Sequence, residues 1–204
     1  MNKFEELHSL KDKMEDDASL PLRTGEKLVF GHGNTEAKIL LVGEGPGRME
    51  SIQGLPFVGP AGKLLDKLLL LAGLERKKVF VTNVVHHRPP ENRDPEPSEI
   101  EAYGKYLDKI IEIIDPKVII TLGRFSMAKF LPNVFISGVH GKKYNVVWKE
   151  KEIVVIPMYH PAASLRNGNV LELEKTDFVN LRQILPEILK KKDDKVRSDQ
   201  IKLV

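Results

Sequence analysis

The chain has 204 residues, of which 41% are hydrophobic and 30% are charged, with 32 basic side chains, 29 acidic ones and no cysteine. This composition predicts one globular domain with a sizeable core. The lack of cysteine excludes disulfides, thiolate-ligated zinc, a cysteine-held iron–sulfur cluster and a cysteine nucleophile.

No apolar run approaches the roughly 18 residues of a membrane span, and the first 17 residues are too charged for a secretory signal. We therefore expect a cytoplasmic protein that does not act at a membrane. The net charge of +3 does not identify a nucleic-acid-binding protein, so a basic footprint depends on how the charges are arranged.

Strands and helices alternate along the chain. An amphipathic helix is predicted from Phe4 to about Asp16. Strands are predicted over 38–42, 79–85, 117–122, 144–148 and 152–157, and further helices over 61–74, 98–114, 123–131 and 172–190. Ser98 and Glu101 have the spacing of a capping box, and 149–151 reads as a turn between two strands.

This alternation predicts an α/β protein: a single three-layer α/β/α domain over 1–204 with a central, mostly parallel sheet. Residues 191–204 are expected to form a flexible charged tail. In such sheets ligands bind beyond the carboxyl ends of the strands, so the loops after Val42, Val85 and Pro157 are where functional residues are expected.

The first of these loops is the segment GEGPG at 43–47. It matches neither common nucleotide-binding glycine motif. Glu44 places a carboxylate at the end of a strand, and Phe57 is an aromatic residue held between prolines and glycines. The plain structural alternatives are that Glu44 caps a nearby helix and that Phe57 covers the core.

The second loop begins at Asn83, inside an apolar strand. A buried amide needs a partner, so Asn83 either bonds to neighbouring backbone or faces a ligand. His86 and His87 together suggest a metal, but adjacent side chains on an extended chain point in opposite directions, which disfavours a shared ion.

The third loop begins at His160, which a following proline holds at the end of a strand. This histidine is suited to donate a hydrogen bond to a ligand oxygen, and the alternative is that it caps the next helix. Leu165 beside Arg166 fits a loop that contacts DNA, and equally an ordinary surface loop.

Taken in order, five blocks of the sequence resemble the uracil-DNA glycosylase superfamily, in particular its thermostable family 4. The blocks are GEGPG with Glu50, GLPFVGPAGKLL, TNVV followed by RPPENRDP, KVIITLG, and HPAASLRN. The resemblance covers roughly residues 20–169. It implies an enzyme that flips uracil out of DNA and hydrolyses its N-glycosidic bond, leaving an abasic site.

The resemblance also implies roles for residues of the three loops. Phe57 would stack on the flipped uracil, Asn83 would read its Watson–Crick edge, and His160 would stabilise negative charge on the departing base. Glu44 would orient the attacking water or stabilise the sugar cation, with Glu50 supporting the pocket. The remaining candidates are Gly43 and Gly45 for the base, and Pro46, Gly47, Arg88, Arg93, Ser164, Leu165 and Arg166 for the DNA.

Family 4 enzymes hold a [4Fe-4S] cluster with four cysteines, and this chain departs from that pattern. The matching positions carry Asp17, Leu20, His87 and Tyr103, none of which is a thiol. We therefore expect no cofactor, and we expect Leu20, Tyr103 and neighbouring apolar residues to replace the cluster by packing.

Two other functions remain as alternatives. One is a protein of the same fold that binds DNA or an abasic site but hydrolyses poorly. The other is a phosphohydrolase or nucleotide-binding protein that uses the GEGPG loop. The expected protein is a monomer, and its tail, with Gln200, Ile201 and Leu203, only weakly resembles a segment that docks on a sliding clamp.

Overall fold

The computed structural model describes residues 2–23 and 25–201, and the side chains of all of these except 191–201. Six strands form one sheet in the order β1-β3-β2-β4-β6-β5. Their bounds are His32–Gly33 for β1, Ile39–Gly43 for β2, Phe80–Asn83 for β3, Val118–Leu122 for β4, Tyr144–Trp148 for β5 and Lys151–Met158 for β6.

The sheet is mixed, which corrects the prediction of a mostly parallel sheet. Its four central strands, β3, β2, β4 and β6, run parallel, while β1 and β5 pair antiparallel at the two edges. The edge strand β5 is antiparallel because Lys149 and Glu150, both with positive φ, join it to β6 in a turn of two residues. The two residues of β1 are too few to leave a strand signal in the sequence.

The described residues form eight α-helices. They are α1 Lys3–Asp16, α2 Arg48–Gln53, α3 Pro60–Leu71, α4 Pro97–Ile114, α5 Arg124–Ala128, α6 Ile136–Val139, α7 Pro161–Ser164 and α8 Gly168–Ile201. The short helices α2, α6 and α7 were not predicted. No helix among the described residues is both long and apolar enough to cross a membrane.

The predicted capping box of α4 is wrong. The helix begins one residue earlier, at Pro97, and the Glu99 carboxylate accepts a hydrogen bond from the backbone N–H of Glu96 at 2.8 Å. Pro97 suits the first helical position because that N–H would have no partner within the helix. Likewise α8 begins earlier than predicted, where the Asn167 side chain accepts from the N–H groups of Asn169 and Val170.

The core lies on both faces of the sheet, as the three-layer prediction requires. On β2, Leu40 and Val42 face the side covered by α1 and α4, and Ile39 and Leu41 face the side covered by α3 and α8. This alternation is what a strand buried on both faces produces. The side chains of the predicted tail at 191–204, including Gln200, Ile201 and Leu203, lie outside the described residues.

Candidate active site

The loops that follow the parallel strands enclose a cleft of about 750 Å³ at the carboxyl edge of the sheet. Of the residues singled out from the sequence, those that line it are Glu44, Gly45, Pro46, Gly47, Glu50, Phe57, Asn83, Arg93, His160, Leu165 and Arg166. The three loops therefore meet at one site, where the strand-end rule places ligands.

Asn83 lies at the end of β3, opposite Gly43 in the neighbouring strand. Its side chain is 1% exposed, and its Oδ1 has no hydrogen-bond partner within the described protein. A Cβ on Gly43 would lie 2.4 Å from Oδ1 and 2.7 Å from the Phe57 ring, so only glycine lets both approach this closely. A buried oxygen without a partner favours a ligand-facing role for Asn83 over a purely structural one.

The Phe57 ring packs against the apolar core on one side and lines the cleft on the other. It therefore covers the core and is available to a ligand. Its backbone has a φ of +54°, a left-handed conformation that is uncommon for a bulky residue. The ring stacks on the imidazole of His160, with centroids 5.6 Å apart and planes at 28°. From another side the Arg76 guanidinium lies 6.0 Å from the ring centroid and donates to the Pro56 carbonyl.

Glu50 holds the loop that carries Phe57. Its Oε1 accepts hydrogen bonds from the backbone N–H groups of Val58 at 2.9 Å and Gly59 at 2.8 Å, and its side chain is largely buried. A carboxylate with these bonds fixes the backbone immediately after Phe57. This geometry fits the supporting role expected for Glu50.

Glu44 follows β2 and reaches the beginning of α5. Its Oε1 accepts from the backbone N–H of Phe125 at 3.1 Å, and a Cβ on Gly123 would lie 2.3 Å from that oxygen. Burial raises the pKa of Glu44 above its ordinary value. Glu44 therefore caps a helix and faces the cleft at the same time.

His160 is both the N-cap of α7 and a wall of the cleft. Its Nδ1 accepts from the backbone N–H of Ala162 at 3.1 Å, so the proton of the neutral ring lies on Nε2. Burial, together with the positive charge of Arg166, lowers the pKa of His160 to about 4. Near neutral pH the ring is uncharged and offers one N–H donor.

Two residues of the third loop that are predicted to contact DNA lie at the cleft. Leu165 is 53% exposed, and both Leu165 and Arg166 line the cleft. Ser164 does not: its side chain is 3% exposed, and its hydroxyl donates to the buried Glu174 carboxylate. A phosphate contact by Ser164 does not fit this geometry.

Of the two predicted DNA-contacting arginines in the second loop, only Arg93 lines the cleft, where it forms two hydrogen bonds with Glu99 at 2.8 and 2.6 Å. Arg88 lies outside the lining and bonds to Glu26 at 3.1 Å and Asn92 at 2.8 Å. Arg88 therefore does not face the cleft, and its contact with DNA stays a prediction.

The cleft is also lined by residues that the sequence reasoning did not assign to the site, among them Arg48, Arg124, Ile136 and Tyr159. Arg124 follows β4, whose carboxyl end meets the same edge of the sheet, so the strand-end rule could have identified it. Ile136 belongs to a four-residue helix that left no periodic signal.

The residues at the four cluster positions do not fit an iron–sulfur cluster. Leu20 is 5% exposed and belongs to the apolar core, and the Tyr103 side chain is completely buried. The Tyr103 hydroxyl donates to the carbonyl of Pro21 at 2.5 Å and lies 2.7 Å from Nδ1 of His87. A phenol can donate only one proton, so the Nδ1–H of His87 donates to the hydroxyl.

Asp17, at the fourth position, accepts hydrogen bonds from Tyr106 at 2.7 Å and Lys105 at 2.8 Å, both on α4. His86, beside His87, bonds through Nδ1 to the carbonyl of Val29 at 3.1 Å. The paired histidines thus bond to different parts of the chain. Hydrogen bonds, in addition to the expected packing, join the N-terminal segment, the second loop and α4.

The part of the chain that forms the cleft is similar to known proteins. A family model described as the uracil DNA glycosylase superfamily matches residues 30–185. A Type-4 uracil-DNA glycosylase of Sulfurisphaera tokodaii is 49% identical over 162 residues, which are 76% of this chain and 74% of the relative. A Type-4 uracil-DNA glycosylase of Archaeoglobus fulgidus is 46% identical over 168 residues, 79% of this chain and 84% of the relative. One of Thermotoga maritima is 44% identical over 142 residues, 69% of this chain and 72% of the relative.

Proposed function

Because the chain belongs to the uracil-DNA glycosylase superfamily, we propose that its cleft receives a uracil flipped out of DNA and that the residues described above hydrolyse the bond between the base and its sugar. The protein is a DNA repair hydrolase that acts on N-glycosyl bonds, and its substrate is uracil-containing DNA. The observation that carries the assignment of residues is the buried, unpartnered Oδ1 of Asn83 beside the Phe57 ring.

Asn83 and Phe57 select the base. Uracil presents an N3–H donor and an O4 acceptor on its Watson–Crick edge, which match the carbonyl oxygen and the amide N–H of Asn83. Cytosine presents an acceptor at N3 and a donor at N4, so both groups of Asn83 would face like groups. A buried mismatch of this kind excludes cytosine strongly because the polar groups are left without partners. The Phe57 ring supplies the stacking surface.

His160 stabilises the departing base. As the glycosidic bond breaks, negative charge develops on uracil and is shared by its O2 oxygen. The Nε2–H of a neutral, fixed imidazole donates to that oxygen without prior reorganisation, because Nδ1 is held by Ala162. A neutral donor also leaves the charge on the base rather than transferring a full proton to it.

Glu44 acts on the sugar side of the bond. Its carboxylate lies in the cleft wall, anchored at one oxygen by Phe125. A carboxylate there orients the attacking water and stabilises the positive charge that develops on the sugar. Glu50 positions Phe57 and does not take part in bond breaking.

The remaining lining residues contact the DNA strand. The Gly45–Gly47 backbone approaches phosphates, Arg93 and Arg166 supply positive charge, and Leu165 enters the gap that the flipped base leaves. We further propose that the chain forms one domain, acts as a cytoplasmic monomer and carries no cluster.

The test uses a uracil-containing oligonucleotide with EDTA present, followed by alkaline cleavage of the abasic product. His160→Ala is expected to lower the cleavage rate by about 100-fold or more, the usual effect of removing one preorganised donor. Asn83→Ala is expected to abolish most cleavage, while both variants bind DNA nearly as well as the wild type.

His32→Ala and Asn145→Ala are matched controls, since both residues are exposed on edge strands. An intact oligonucleotide at enzyme excess would contradict glycosylase activity. Equal loss of binding and cleavage in the two site variants would point instead to a protein that only binds DNA.

A further inference from the structure

Phe135 is the most exposed large hydrophobic side chain of the described residues, with 83% of its surface open to solvent. Its neighbour Val134 is 41% exposed. Single exposed apolar residues are common, but an exposed aromatic ring next to a functional cleft marks a contact surface.

Phe135 stands at the rim of the cleft. It is the N-cap of α6, and the next residue, Ile136, lines the cleft. At the other end of α6, the ring of His140 lies 4.6 Å from the ring of Tyr159, the residue before His160. The exposed phenyl ring is therefore carried by a segment that packs against the catalytic loop.

This segment is fixed at several points. His140 Nδ1 lies 2.6 Å from the Asp177 carboxylate, the N–H of Gly141 donates to the Pro157 carbonyl at 2.8 Å, and Lys142 donates to the Gly138 carbonyl at 2.8 Å. A ring on such a segment is positioned before any partner binds, which lowers the entropic cost of a contact.

The charges around Phe135 suit a nucleic acid. Between Phe125 and Lys149 the sequence contains no aspartate or glutamate, and Lys142 and Lys143 are exposed. An exposed apolar ring in a segment that has exposed lysines and no acidic residue complements bases flanked by phosphates.

We propose that Phe135 is a second stacking residue, which packs on a base beside the flipped nucleotide and, together with Leu165, keeps the gap in the duplex open. This inference rests on the proposed function, because its occupant is the DNA substrate of that site. Leu165 and Phe135 come from different loops, so each can contact the DNA independently of the other.

The test compares Phe135→Ala with Phe4→Ala, which removes an exposed phenylalanine, 62% open, from α1. On duplex DNA with one uracil, Phe135→Ala is expected to lower kcat/KM by about 10- to 100-fold, as the loss of base–aromatic stacking predicts. On the single-stranded oligonucleotide, where no stack must be held open, the loss is smaller. Phe135→Trp retains activity, and thermal unfolding of all three variants matches the wild type.

Equal activity of Phe135→Ala and Phe4→Ala on both substrates would overturn the proposal. So would a change in oligomeric state in Phe135→Ala without a change in cleavage, because the ring would then contact a second copy of the chain. Duplex binding, measured by fluorescence anisotropy, separates this proposal from the proposed function. If the wild type binds duplex DNA but does not cleave it, the proposed function fails, and Phe135→Ala is still expected to weaken binding. If Phe135→Ala binds duplex DNA as tightly as the wild type, the role proposed for Phe135 fails and the proposed function stands.

Discussion

Removing the hydroxyl of Tyr103 tests how this chain holds together the N-terminal segment, the second loop and α4. Tyr103→Phe keeps the fully buried ring and deletes only the oxygen between Pro21 and His87. The Pro21 carbonyl and the Nδ1–H of His87 each lose a partner in a site with little access to water. Each unsatisfied buried group costs about 1–3 kcal/mol, so the expected loss in free energy of unfolding for the two groups is about 2–6 kcal/mol.

Thermal unfolding followed by circular dichroism measures this loss. For a chain of this size, 1 kcal/mol lowers Tm by about 2–4 °C, so Tyr103→Phe is expected to unfold about 4–24 °C below the wild type. Tyr144→Phe is the matched control, because Tyr144 is half-buried on β5 and its hydroxyl has no hydrogen bond to the described part of the chain. If the two variants have the same Tm, the Tyr103 hydrogen bonds do not stabilise the fold.

Two further perturbations test other contacts. Burial, reinforced by the charge of Asp177, raises the pKa of Glu174 to about 7, so the folded protein binds this proton more tightly than the unfolded chain does, and stability falls as pH rises from 4.5 through 7. At pH 9, Glu174→Gln is therefore expected to raise the free energy of unfolding by up to about 3 kcal/mol relative to the wild type, and to raise Tm accordingly. At pH 5 the substitution is expected to have little effect on either quantity. An equal difference at both pH values would refute the raised pKa of Glu174. Glu50→Ala is expected to lower kcat/KM about 10-fold by freeing the Phe57 loop, and Glu50→Gln, which keeps an accepting oxygen, restores most of it. Equal losses in these two variants would show that Glu50 needs its charge.

Short-range sequence patterns predicted the central strands and the loops that follow them. The apolar strand before Glu44, the apolar strand that contains Asn83 and the proline-locked His160 were identified because burial and chain breaks are visible in short segments. The predicted strand over 79–85 continues two residues beyond the observed end of β3 at Asn83. The rule for strand ends then brought these side chains to one edge of the sheet, where the structure has them.

The remaining features depend on partners that are distant in the sequence. Arg88 bonds to Glu26, 62 residues away, a pairing that the local sequence does not indicate. The Tyr103 hydroxyl meets the Pro21 carbonyl across 82 residues, so the sequence indicated packing at this site but not the hydrogen bonds. The Ser164 hydroxyl points into the protein because it donates a hydrogen bond to Glu174, which lies on the later helix α8. Such pairings follow from the assembled fold and leave no periodic signal.

The most direct test of the central claim measures free uracil released from a uracil-containing duplex together with the iron content of the same purified protein. We expect one uracil released per substrate, with multiple turnovers, from protein that contains no stoichiometric iron. Absence of uracil release at enzyme excess, or activity that rises and falls with bound iron, would contradict the conclusion that this cysteine-free chain excises uracil with the residues of its cleft.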